Sequence, residues 1–92
     1  MNNPTLNVRI VTPRQILFDG IASSVSSVNS QGKFDILPEH ANFITIVENN
    51  PIIIHDADKK VFSYNFPLAI IYTAKNIVHI YTNIPSQKSN II

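Results

Sequence analysis

Cysteine is absent from the 92 residues, which removes disulfides and every thiolate metal site and leaves burial to hold the fold. Tryptophan is absent as well, and glycine occurs only at Gly20 and Gly32. Two isolated glycines cannot build a phosphate-cradling loop, so Walker-type and dinucleotide sites are excluded. Charge is sparse: Asp, Glu, Lys and Arg make up 14% of the chain and sum to +1, so the basic stripe of a nucleic-acid-binding domain is missing. Lys59-Lys60 is the one basic doublet, and with Asp56 and Asp58 beside it the pair reads as a solvated turn. No apolar run approaches the roughly 18 residues of a membrane-spanning helix, and Met1-Asn2-Asn3-Pro4 lacks the basic and apolar regions of a secretory signal. A chain of this kind is expected to meet a membrane only through a protein partner.

What is present is apolar and β-branched. Apolar residues are 45% of the chain, enough for a single core, and the length fits one domain. Ile and Val recur at the short period of strands, where β-branched side chains fit the pleat better than they fit a helix. The pattern predicts strands over residues 6–11, 15–18, 21–29, 33–37, 41–47, 52–54, 61–66, 68–73 and 77–82. Asp19-Gly20 reads as a two-residue hairpin turn, and the 21–29 strand breaks its alternation between Val25 and Val28. Phe34 and Ile36 share a face, as do Phe62, Tyr64 and Phe66. A hairpin is expected over Ala74-Lys75-Asn76. Closely spaced turns with no sustained helical period predict an all-β sandwich or barrel over residues 1–84, followed by a polar tail at 85–92 in which Ile91-Ile92 has the apolar character to dock.

Catalytic constellations are thin. His55, Asp56 and Asp58 are spaced for a small metal site, but a polar turn between two strands has the same composition. His40 and His79 would act as bases only beside a converging nucleophile or carboxylate, and the six acidic residues are scattered over separate turns. His79, between Val78 and Ile80, reads as a side chain on the more polar face of a strand. No catalytic, cofactor or metal residue is assigned.

Several ordered features do stand out: Val11-Thr12-Pro13, Phe18-Asp19-Gly20, Val25-Ser26-Ser27-Val28, Gly32-Lys33-Phe34-Asp35-Ile36-Leu37-Pro38, His40-Ala41-Asn42-Phe43 and Asn76-Ile77-Val78-His79-Ile80. In this order and spacing they resemble the amino-terminal domain of the epsilon subunit of rotary F-type ATP synthases, called delta in mitochondria. The resemblance runs from about Leu6 to Thr82. It implies a flattened β-sandwich of two five-stranded sheets at the foot of the central stalk. Such a rotor subunit couples the gamma subunit to the c-ring during ATP synthesis, driven by hydrogen-ion transport, without catalysing a reaction itself.

Carried over by position, Gln31, Gly32 and Lys33, and the corner of Pro38, Glu39, His40, Ala41 and Asn42, are the implied c-ring or gamma contacts, and Phe43 to Thr45 matches the stretch beside gamma. The resemblance implies no cofactor and places the subunit peripherally on the cytoplasmic face of a bacterial plasma membrane. Glu39 and Asn42 stand where the family usually has Gly and Pro, Lys33 where relatives are often acidic, and Pro67-Leu68 where they carry a Gly pair. No helical pattern follows Thr82, so the expectation is a form without the carboxy-terminal helical hairpin, and hence without nucleotide binding or an inhibitory arm. A free-standing β-sandwich binding or metal-binding module is the alternative reading.

Overall fold

The computed structural model describes residues 4–39 and 42–83. Eight strands occupy them, and no helix occurs among the described residues: β1 Leu6–Val11, β2 Ile16–Asn29, β3 Gly32–Ile36, β4 Phe43–Val47, β5 Pro51–Asp56, β6 Val61–Asn65, β7 Ala69–Ala74 and β8 Ile77–Thr82. Alternation sets the register. Leu6, Val8 and Ile10 are buried while Asn7 and Arg9 are exposed, and in β8 Val78, Ile80 and Thr82 turn inward.

All eight strands belong to one hydrogen-bonded network, ordered β4-β7-β8-β1-β2-β5-β6, with β3 on β2. The pairings are antiparallel except β1 with β8. The 14-residue β2 gives the network two layers. Its first half pairs with β1; its second half pairs with β3, farther along that same edge, and with β5 on the other. The outer layer on one side is thus β4-β7-β8-β1-β2 and on the other β3-β2-β5-β6. This is the expected β-sandwich, but built from eight strands in a single curled sheet instead of two separate five-stranded sheets, because one strand serves both layers.

A register shift between Ala22 and Ser24 re-aims β2 as it passes from one layer to the next. The exposed Ser23 left over there donates its Oγ to the carbonyl of His55 at 3.1 Å. The break in alternation therefore precedes Val25 instead of following it. Val25 and Ser27 are buried and Val28 is only half-buried, the Ser27 hydroxyl donating to the Pro51 carbonyl at 2.8 Å.

The Asp19-Gly20 hairpin does not form. Asp19 pairs with Arg9 and Gly20 with Val8 inside a continuous strand. The chain reverses earlier, at Thr12-Pro13-Arg14-Gln15, where the Thr12 Oγ1 accepts from the amides of Arg14 and Gln15 at 3.2 and 3.1 Å. A hydroxyl that satisfies two turn amides, next to a proline lacking a donor, outcompetes a dipeptide whose backbone groups already have ladder partners. The reversal between β7 and β8 is a two-residue turn, Lys75 and Asn76 both lying at positive φ (53° and 63°) and Ala74 pairing with Ile77. Between β2 and β3, the Asn29 Oδ1 accepts from the Gln31 amide at 2.8 Å and Gly32 takes φ 118°.

β5 is longer than the Ile52-Ile53-Ile54 run, because the Asp56 amide donates to the Lys60 carbonyl at 2.9 Å and carries His55 and Asp56 into the strand. The Asp56 carboxylate then accepts from the Asp58 amide, which makes this segment an Asx turn. Among the described residues no three His, Cys, Asp or Glu side chains gather where a cation would be held.

The core lies between the layers: Leu6, Val8, Ile10, Val25, Ile36, Val47, Ile52, Ile54, Ile71, Val78 and Ile80 are all essentially inaccessible. Phe34, Phe43, Phe62 and Tyr64 close its sides. Although β4 ends the strand order, the curl returns it to β2 and β3. There Phe34 and Phe43 meet with ring centroids 5.4 Å apart, and the Asn29 Nδ2 donates to the Thr45 Oγ1 at 2.9 Å. On the opposite side Phe18 packs edge-on against Phe62 at 5.3 Å, and burial raises the Tyr64 phenol above its ordinary pKa.

Candidate partner-docking surface

The two outward faces differ in chemistry. On β3-β2-β5-β6 the outward positions are Ser24, Ser26, Lys33, Asp35, His55, Ser63 and Asn65, with Val28, Pro51, Ile53 and the 60% exposed Val61 among them. Ser26 donates to the Asp35 carboxylate at 2.6 Å, so even the polar groups are partly occupied with one another. This face is the more polar of the two.

On β4-β7-β8-β1 the outward row is apolar. Register places Ile44 beside Tyr72, Ile46 beside Ile70, and Ile70 beside Tyr81. Ile77 adjoins Asn7, which in turn adjoins Ile21. Ile44 is 67% exposed and Ile46 54%, and Ile70, Tyr72, Ile77 and Tyr81 are exposed as well. Contiguous exposed apolar surface on a small domain marks a face that another molecule covers. Charge is nearly absent from it: Arg9 is held by the Asp19 carboxylate at 3.2 Å, and His79 is half-buried with its ring 5.7 Å from that of Tyr81. At one corner Val11, Pro13, Leu68, Ile70 and Tyr81 line a depression of about 440 Å³.

The sequence-derived contact residues fall in three places. Gln31, Gly32 and Lys33 are exposed at the β2–β3 turn. Pro38 is half-buried and Glu39 and Asn42 are exposed at the corner after β3, where the Glu39 amide donates to the Asn76 Oδ1 of the β7–β8 turn. These two groups stand at opposite ends of the five-residue β3, roughly 16 Å apart at the usual rise per residue. Phe43 and Thr45 turn toward the seam with Phe34 and Asn29, so the outward side chains of β4 are Ile44 and Ile46. His40 and Ala41 lie outside the described residues, as does the tail with Ile91-Ile92.

The apolar face was missed from sequence, yet it left a signal. Ile44-Thr45-Ile46-Val47, but for Thr45, and Ala69-Ile70-Ile71-Tyr72 are apolar at both strand phases. A strand of a two-layer protein that is apolar on both sides needs a cover on the second side.

Comparison with known proteins assigns the family. Residues 5–84 match the family described as ATP synthase, Delta/Epsilon chain, beta-sandwich domain. Among curated relatives, the ATP synthase epsilon chain of Campylobacter concisus is 36% identical over 75 residues, covering 79% of this chain and 58% of the relative. That of Sulfurimonas denitrificans is 38% identical over 58 residues, covering 63% and 45%. This chain thus spans about half the length of the curated relatives it matches. A chain of the Euglena gracilis mitochondrial ATP synthase, solved as an OSCP/F1/c-ring structure, superposes with a TM-score of 0.78 at 10% identity over 88% of this chain and 53% of its own. One from the Tetrahymena thermophila mitochondrial ATP synthase, central stalk and c-ring, does so with 0.69 at 14% identity over 91% and 67%. At those identities the likeness is one of fold. With the family pattern matched from the first strand to the last, and an eight-stranded sandwich to go with it, the chain belongs to the ATP synthase delta/epsilon chain family through its β-sandwich domain.

Proposed function

We propose that this chain is a non-catalytic central-stalk subunit of a proton-translocating ATP synthase, seated between the gamma subunit and the c-ring and turning with both. The observation that carries the reading is the asymmetry of the two outer faces in a member of this family: one carries mainly polar side chains, and the other presents Ile44, Ile46, Ile70, Tyr72 and Tyr81. Gamma docks on the apolar face, which removes those side chains from water. Gln31, Gly32 and Lys33 at the β2–β3 turn and Pro38, Glu39 and Asn42 at the corner are the proposed contacts to the c-ring or to the flank of gamma. A surface that includes both groups runs the length of β3 and β4.

Torque transmission suits this architecture. Strands cross-bonded in one network over a close-packed core deform little, so force entering at the gamma face leaves at the loops. The subunit is peripheral to the membrane, on the cytoplasmic face in a bacterium, and reaches it only through the complex.

The test is co-expression with the gamma subunit of the same organism. A stable complex is expected, and Ile44→Asp is expected to weaken it at least tenfold while leaving the β-sheet circular dichroism unchanged, since Ile44 is outside the core. Absence of a complex, or equal binding by the variant, overturns the reading.

A further inference from the structure

We infer that the Glu39 carboxylate fixes which way round the gamma subunit lies on the apolar face, by taking a basic side chain of gamma at one end of that face. This rests on the face being the gamma-docking surface. The face has apolar area to hold a partner but little charge to orient one: the Arg9 guanidinium is held by Asp19, and theirs is the one ion pair among the described residues. An interface with such a centre takes its register and orientation from charges at its rim. Glu39 stands at that rim. It is exposed and lies just ahead of β4 with its outward Ile44, and its amide donates to the Oδ1 of Asn76, the residue before the exposed Ile77.

Three observations single out this residue. Glu39 adopts φ 66° directly after Pro38, a turn position that glycine fills without steric cost and that a longer side chain fills only against strain. Strain of this kind gathers where a side chain is used, and the Asn76 acceptor holds the strained amide in place. The carboxylate makes no ion pair among the described residues, Lys75 on the neighbouring turn included. Leu37, on the other side of Pro38, is 52% exposed. An exposed leucine two positions from such a carboxylate matches the two parts of an arginine or lysine, with the aliphatic stem on Leu37 and the charged head on Glu39.

The experiment measures Kd for the gamma subunit of the same organism at about 50 and 500 mM NaCl, where screening differs strongly, for the wild type, Glu39→Gln, Glu39→Gly and Glu39→Lys. At low salt Glu39→Gln and Glu39→Gly are expected to bind about three- to fivefold more weakly, and Glu39→Lys about tenfold or more. Glu39→Gly is expected to melt no lower than the wild type, because glycine relieves the corner. High salt is expected to weaken the wild type more than Glu39→Gln. Wild-type affinity in Glu39→Gln and Glu39→Gly, or the same salt dependence in the wild type and Glu39→Gln, overturns the inference and leaves the docking face standing. No binding by the wild type at either salt concentration removes the docking face, and this inference with it.

Discussion

The Asn29 side-chain amide donates to the Thr45 hydroxyl at 2.9 Å, across 16 positions of sequence, and by doing so ties the end strand of the order back to its centre. Both residues are half-buried, so the bond is shielded from water without being sealed from it. Thr45→Val keeps the shape of the side chain and removes the acceptor. A loss of about 1 kcal/mol in urea unfolding is expected, with a similar loss for Asn29→Ala and a double variant clearly less than additive. Additive losses would mean that the ring contact of Phe34 with Phe43 closes the seam by itself.

Thr73 presents the opposite case. It is 1% exposed, and its Oγ1 has no hydrogen-bond partner among the described residues. An unpaired buried hydroxyl costs about 1–3 kcal/mol, so Thr73→Val, equal in shape and apolar, is expected to raise the melting temperature by several degrees. A fall on thermal unfolding would show that the hydroxyl is satisfied in solution.

Asn76 combines two tasks. It adopts φ 63°, a conformation that an asparagine tolerates, and its Oδ1 receives the Glu39 amide. Asn76→Gly preserves the turn and deletes the acceptor. Faster hydrogen exchange at the Glu39 amide, with the amides of β7 and β8 unchanged, is the expected result. Unchanged exchange at Glu39 would show that the corner is held by other contacts.

Much of the fold could be read from single residues. Alternation in Val78-His79-Ile80 gave the face of His79, and the same period is present in Leu6-Asn7-Val8-Arg9-Ile10, because period two is all that a half-buried strand requires. Asp19-Gly20 misled because turn propensity is local, whereas the ladder that overrides it runs to Arg9 and Val8 ten or more positions away. Ser27 went unread as a core position for a related reason: its burial depends on the Pro51 carbonyl, supplied by a strand not adjacent in sequence. The proposed docking surface was only half legible. Resemblance by position pointed to Phe43 and Thr45, but one step of register separates a residue turned to the seam from one turned outward, and only the pairing of Ile44 with Tyr72 fixes which is which.

The parallel alliance of β1 with β8 has a consequence for biosynthesis. Asn7 waits for Ile77, so β1 remains without its second neighbour until nearly all the described residues have been translated. Closing so distant a contact is entropically slow, and until then the Leu6, Val8 and Ile10 row is open to improper association. A ribosome stalled before β8 would thus hold a nascent polypeptide in need of a chaperone, whereas one released after Thr82 could complete the sheet unaided.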